Sequence, residues 1–135
     1  MKKLQEGVYT VLSGDSQLKT LLGATTLNTK IYPIIPDNFE AFPAIAYSVV
    51  GGSFRTAPHG SEDMDLEFHI YADNTSNQGK AQCENIFTRL NYLMNYLQDW
   101  SKTITYIKLG SEIDLPEKDR KLWGKVVRYQ VWSNN

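Results

Sequence analysis

Residues 31–33 read IYP and residues 42–52 read FPAIAYSVVGG. The first segment predicts a short strand that stops at Pro33, because proline has no N–H to donate to a neighbouring strand. The second segment predicts a strand over residues 44–50, with Pro43 at its tolerated first position and a glycine pair at its end. Helical patterns precede this stretch and a strand pattern follows it, so it marks the transition from helices to sheet.

Two short amphipathic helices are predicted before this stretch. Apolar residues recur at helical spacing over the first dozen positions, and Gly14 and Asp15 then supply a helix end and a helix cap. A second apolar face follows and stops at Gly23. The apolar positions of the two helices are Leu4, Val8, Val11, Leu12, Leu18, Leu21 and Leu22.

A strand, a long helix and two more strands are predicted after the stretch. Residues 64–71 alternate between apolar and polar, an apolar stripe predicts a helix over about 77–100, and the alternation returns at 103–109 and 123–132. This order predicts an α+β fold, with a mainly antiparallel sheet covered by one long helix and short N-terminal helices. The length of 135 residues suits a single compact domain over 1–135.

Two long loops are predicted, over residues 53–63 and 110–122. Both combine glycine, proline and charges of both signs, which is typical of loops. Loops of this length in a compact domain tend to be functional or disordered.

Composition excludes some classes of partner. The net charge of −1 provides no overall attraction to nucleic acid or anionic membranes, although a local patch stays compatible with it. No apolar run approaches the roughly 20 residues that span a bilayer. Polar residues at positions 5–7 interrupt any signal-peptide core, so a cytoplasmic origin is expected. The eight tyrosines and three tryptophans suit both a core and protein interfaces.

The residues that carry chemistry are sparse, and neither a catalytic residue, a metal nor a cofactor is predicted. Cys83 is the single cysteine, so it can form no internal disulfide, and it is predicted to be a small apolar residue on a helix face. Asp65, Glu67 and His69 share one face of a predicted strand about 7 Å apart. They fit either a metal site or a solvated strand face. The second is favoured, because no remote ligand can be identified.

Several segments, taken in order, resemble a known family. They are LQEGVYTVL (4–12), GDSQLKTLLG (14–23), IYP (31–33), FPAIAY (42–47) with the following Gly-Gly, and IYA (70–72) ahead of a long helix. Together they resemble the tail completion or tail terminator proteins of long-tailed bacteriophages, also called head-to-tail joining proteins. This family is similar in fold to the tail terminator of lambda.

The resemblance implies a structural virion protein and no enzyme. Such a protein forms a hexameric ring at the head-proximal end of the tail tube, stops tube polymerisation and joins the tail to the head connector. Its implied location is the head–tail junction of the virion, after assembly in the host cytoplasm. Its implied partners are further copies of itself, the tail tube protein and the connector or head-completion protein, with passing DNA in the lumen and no membrane. A monomer in solution is compatible with this role, because weak ring contacts can be completed only at the tube tip.

The partner-binding residues expected on the two loops are Arg55, His59, Arg120 and Lys121, which the resemblance itself does not assign. Three alternatives stay open at the level of sequence. One is another neck or head-completion connector protein. The second is a small metal-dependent enzyme that uses Asp65, Glu67 and His69. The third is a monomeric binding module with an aromatic peptide groove.

Overall fold

The computed structural model describes residues 2–23, 30–32, 42–50, 61–95, 104–117 and 121–134. Its order of helices and strands is the predicted one. The elements are α1 (Lys2–Ser13), α2 (Ser16–Leu22), β1 (Ile31–Tyr32), β2 (Ala44–Val50), β3 (Ser61–Asp73), α3 (Gly79–Met94), β4 (Ile104–Glu117) and β5 (Leu122–Asn134).

The five strands form one sheet in the order β1-β2-β3-β5-β4. Only the two-residue β1 runs parallel to its neighbour β2, and the other three pairings are antiparallel. The helices lie on one face of the sheet, where their buried side chains join those of the strands in a single core. The predicted α+β class with a mainly antiparallel, helix-covered sheet is confirmed.

Three aromatic rings occupy the centre of this core. Phe68 of β3 lies between Tyr47 of β2, at a centroid distance of 5.7 Å, and Tyr129 of β5, at 5.6 Å. All three residues are fully buried. The Tyr129 hydroxyl donates a hydrogen bond of 3.0 Å to Asn91 Oδ1 of α3, so this buried polar group has a partner.

The junction of α1 and α2 is attached to α3 by an ion pair. Asp15 caps α2, because its Oδ2 accepts a 2.8 Å hydrogen bond from the Leu18 N–H. The same carboxylate accepts two hydrogen bonds from the Arg89 guanidinium, from Nε at 2.9 Å and from Nη2 at 2.6 Å. The Arg89 hydrogen bonds hold the pKa of Asp15 below its ordinary value, against the opposing effect of burial.

Asp15→Asn is expected to destabilise the protein in a pH-dependent way. Asparagine still caps the helix, but it removes the charge that binds Arg89. Because the folded-state pKa of Asp15 is lowered, its stabilising contribution is present above the unfolded pKa of about 3.9 and is lost as the pH falls through the folded value. Urea denaturation should therefore show the largest difference from wild type above about pH 5, and a shrinking difference below about pH 4. A difference in the free energy of unfolding that is constant from pH 2 to pH 7 would contradict this assignment. For Arg89→Gln, the difference from wild type should likewise become smaller below about pH 4.

The prediction of a loop over residues 110–122 is wrong. Residues 110–117 belong to β4, which pairs with β5 as far as Glu117↔Leu122. Pro116 is tolerated because β4 is an edge strand, and Gly110 lies at an irregularity in the pairing between Leu109 and Ser111. The features that indicated a loop are therefore features of an edge strand.

Three other predicted boundaries also shift. α3 ends at Met94, because Asn95 has an extended backbone with φ −67° and ψ 127°, whereas the helix was predicted to continue to Trp100. Strand β3 begins at Ser61, inside the predicted loop 53–63, and the last strand continues to Asn134. Residues 53–60 and 96–100 lie outside the described part of the chain.

Candidate interaction surfaces

A polar network lies on the sheet face opposite the helices. Glu67 Oε1 contacts His69 Nε2 at 2.6 Å, and Glu67 Oε2 accepts a 2.6 Å hydrogen bond from Arg128 Nη2 on β5. His69 Nδ1 lies 3.4 Å from the Tyr71 hydroxyl. Burial opposes the charged form of Glu67, but the bonds from Arg128 and His69 outweigh it and lower the pKa of Glu67. The network crosses from β3 to β5 and stabilises their pairing.

This arrangement gives no support to the metal hypothesis for Asp65, Glu67 and His69. The Glu67 carboxylate is already occupied by Arg128 and His69, and a neighbouring guanidinium disfavours a second cation. Within the described residues, no group of three histidine, cysteine or acidic side chains is placed to hold a metal ion.

A buried ammonium group holds β4, β5 and α3 together. Lys125 of β5 is only 2% exposed, and its Nζ lies 2.9 Å from Glu84 Oε1, 3.5 Å from Asp114 Oδ1 and 4.0 Å from Glu112 Oε1. The same Nζ lies 4.9 Å from the ring centroid of Phe87. Burial opposes the charge, but Glu84 and the β4 carboxylates outweigh it and raise the pKa of Lys125.

An apolar strip lies on the opposite, open face of the same hairpin. We call Ile113 and Leu115 the β4 strip; their side chains are 58% and 52% exposed. Their cross-strand neighbours on β5 are Val126 and Gly124. The missing side chain of Gly124 leaves room for the Tyr71 ring, since a Cβ there would lie 3.2 Å from Tyr71 Cε1. The Tyr71 ring of β3 therefore lies over Gly124, the cross-strand neighbour of Leu115.

A second exposed apolar group lies on α3. Tyr92 is 73% exposed, and its ring centroid lies 4.7 Å from the Arg89 guanidinium carbon. Because Arg89 is also held by Asp15, the cation under the ring has a defined position. We call Tyr92 and Arg89 the α3 site. Tyr92, Ile113 and Leu115 are the large hydrophobic side chains that are strongly exposed among those whose burial the structure describes.

The two surfaces lie on opposite sides of the sheet. One side of α3 carries Arg89 and faces the junction of α1 and α2 through Asp15. The other side faces β5, through the contact of Phe87 with Lys125 and the hydrogen bond of Asn91 to Tyr129. The β4 strip lies beyond β5, at the sheet edge, and on the face that the helices do not cover.

Of the four predicted partner-binding residues, the structure describes only Lys121. It lies at the turn between β4 and β5 with a φ of 51°, its side chain is exposed, and its carbonyl oxygen accepts a 2.7 Å hydrogen bond from the Asn74 N–H. Arg55, His59 and Arg120 lie outside the described residues. Their partner-binding roles, and that of Lys121, stay predictions.

Cys83 lies on the buried face of α3, as predicted for a small apolar residue of a helix face. Its thiol contacts the Trp123 and Ile70 carbonyl oxygens, and burial raises its pKa to about 12. The β4 strip and the α3 site were not predicted. In the sequence, Ile113 and Leu115 lie within a segment that was predicted to be a loop, and Tyr92 lies on the polar side of a predicted helix, so neither position indicated an interaction surface.

Comparisons with known proteins show a fold similarity and no sequence family. A scan against protein-family models finds no match, and a search of curated proteins finds none either. Among solved structures, the chain is similar to a chain from the virion of a native gene transfer agent (GTA) particle. The TM-score is 0.73 at 11% sequence identity, over 97% of this chain and 94% of that chain. The two chains therefore share a fold along almost their whole length. In the described residues, no helix is long and apolar enough to span a bilayer.

Proposed function

We propose that this protein is a structural component of a phage-like virion, and that it caps the head-proximal end of a tail tube and joins the tail to the head connector. The observation that carries the proposal is the fold similarity to a chain of the gene transfer agent virion, at a TM-score of 0.73 over nearly the full length of both chains. The order of sequence segments that resembles tail terminators supports the same role independently of that structure.

The chemistry of the described residues is compatible with a structural role. The strongly placed ionisable groups bind one another: Asp15 binds Arg89, Glu67 binds Arg128, and Lys125 binds Glu84. Each of these pairs joins two elements of the fold, and each therefore stabilises the scaffold. We assign the protein a non-enzymatic role that needs no cofactor.

In this proposal the protein works as a ring of identical copies, with six as the expected number. The ring contacts the tail tube protein on one side and the connector on the other, and DNA passes through its lumen. A ring of this kind needs two different surfaces on each copy, because a head-to-tail contact joins one patch of a copy to a different patch of the next. The β4 strip and the α3 site provide two such exposed surfaces.

Tail assembly with and without this protein tests the proposal. Purified tail tube protein of the same virus is polymerised alone and with this chain, and tube lengths are measured by electron microscopy. We expect tubes of uncontrolled length without the protein, and arrested tubes carrying extra density at one end with it. Tubes of the same length distribution in both samples would contradict a terminating role. If tube lengths are the same in both samples, but tails join heads only when this protein is present, a head-completion protein would be favoured instead.

A further inference from the structure

We propose that the outer edge of β4, over residues 111–117, is a docking site for an extended, basic segment of another protein, which adds to the five-stranded sheet as a further strand. The docked segment alternates lysine or arginine with uncharged residues that favour strands. The inference goes beyond the proposed function and does not depend on a ring, because it rests on the backbone and the charges of β4 alone.

The backbone of β4 is the first argument. Strand β4 is the last strand of the sheet, and among the described strands it pairs only with β5, while residues 110–116 are all exposed. Pro116 lies in this ladder opposite Trp123, where a proline is tolerated because its nitrogen faces away from the paired strand. Alternate residues of an antiparallel strand direct their backbone groups the same way, so Glu112 and Asp114 present N–H and C=O groups to the free edge. The ligand that satisfies such a row of donors and acceptors is an extended chain.

Excess negative charge is the second argument, and it specifies the side chains of the docked strand. Glu112 and Asp114 lie on the helix side of β4, where they share the ammonium of Lys125 with Glu84. Among the described residues, no other cation lies within ion-pair distance of these three carboxylates, so two negative charges are left uncompensated. The side chains of Glu84, Glu112 and Asp114 are 43%, 47% and 36% exposed and can therefore be reached by a partner. Lysine or arginine at the positions opposite Glu112 and Asp114 supplies the missing charge.

The same charges disfavour a second copy of this chain at the edge. Two β4 strands paired antiparallel around Ile113 would set Glu112 of one copy directly against Asp114 of the other. Like charges at directly opposite positions destabilise a strand pair. The edge is thus protected against self-association and complementary to a basic strand.

Amide hydrogen exchange followed by NMR tests the docking site. In the free protein, the amides of Glu112 and Asp114 should exchange freely, whereas those of Ile113 and Leu115, which face β5, should be protected. The probe is a synthetic peptide of alternating lysine and valine, about eight residues long. At a concentration about ten times its Kd, the peptide should slow exchange at Glu112 and Asp114 by about ten-fold.

A methylated peptide separates strand pairing from simple charge attraction. Methyl groups on the backbone nitrogens of the lysines leave every side chain and charge in place, but they remove the N–H groups that face β4. This peptide should bind at least about ten-fold more weakly than the unmethylated one, because the backbone donors of β4's partner are lost.

A matched pair of protein variants tests the charge. Glu112→Gln combined with Asp114→Asn should weaken binding of the alternating peptide by at least about ten-fold. Glu6→Gln combined with Asp65→Asn removes the same number of charges away from β4 and should bind as wild type does. If the β4 variant is poorly folded, the comparison of the two peptides on wild-type protein decides the proposal.

Three results would overturn the proposal. Equal binding of the methylated and unmethylated peptides would show adsorption by charge without strand pairing. Protection of Glu112 and Asp114 that rises with protein concentration, in the absence of peptide, would show that a second copy occupies the edge. Failure of the alternating peptide to bind wild-type protein with a Kd below about 1 mM would exclude the site. Tube arrest is not measured in these experiments, so the proposed function stands or falls separately.

Discussion

Ile113→Asp combined with Leu115→Asp is expected to abolish the arrest of tail tubes while leaving the protein folded. Full burial of an exposed side chain of this size contributes about 1.5–3 kcal/mol, and because Ile113 and Leu115 are 58% and 52% exposed, about half of that is available to each at an interface. Losing both from every contact weakens the association of neighbouring copies by about 10- to 100-fold. Two new carboxylates would also lie in the apolar contact without a partner. Tube length measured by electron microscopy should therefore match that of tubes grown without the protein.

The control for this double variant has the same change of charge at other exposed sites. Ser76→Asp and Gln78→Asp add two carboxylates just before α3, at the opposite end of the helix from Arg89 and Tyr92, and this protein should arrest tubes as wild type does. Circular dichroism should show all three proteins equally folded, because the two β4 side chains are more than half exposed. Normal arrest by the Ile113/Leu115 variant would exclude the β4 strip from the assembly contact.

Phe68→Ala is expected to lower the free energy of unfolding by about 3–5 kcal/mol, a large part of the 5–15 kcal/mol typical of a domain. The Phe68 ring is fully buried between the rings of Tyr47 and Tyr129, on the central strand β3. Its removal leaves a cavity in the core and ends both ring contacts. Urea denaturation followed by tryptophan fluorescence measures this loss of stability. The urea concentration at the midpoint of unfolding should fall, and the dependence of the free energy on urea concentration should stay unchanged.

Leu115→Ala is the matched control for a large apolar side chain on the same sheet. Leu115 is 52% exposed on the open face, so its truncation should change the free energy of unfolding by no more than about 0.5 kcal/mol. A loss below about 1.5 kcal/mol in Phe68→Ala would mean that the surrounding rings collapse into the space. It would contradict the central position given to this residue.

Much of the fold could be predicted from local pattern. The alternation of Leu66, Phe68 and Ile70 identified the core face of β3, and the capping residue Asp15 and the terminating Gly23 marked the ends of helices correctly. These signals depend on the spacing of residues within one element, because helix and strand periods differ and helix ends need particular residues. Local pattern failed at β4, where Gly110 and Pro116 indicated a loop.

The candidate surfaces depended on contacts between distant residues. Lys125 alternates with the buried residues of β5, but nothing near it in the sequence shows that Glu84 of α3 lies 2.9 Å from its ammonium group. In the same way, the loop-like composition of residues 110–117 concealed an edge strand whose Ile113 and Leu115 lie on an open face. The sequence predicted partner-binding residues on loops, whereas the structure shows exposed apolar side chains on a strand and a helix, the β4 strip and the α3 site.

By itself, the sequence determined the order of elements, the short strand at Ile31–Tyr32 and the apolar faces that build the core. Periodicity and turn residues act over a few positions, so they can be recognised without the rest of the chain. Only the tertiary structure decided that β4 pairs with β5 as far as Glu117↔Leu122, and that exposed apolar side chains lie on α3 and on the open face of the sheet. The physical reason is that strand pairing and the exposure of a side chain are set by residues far away in the sequence, whose positions no local pattern contains.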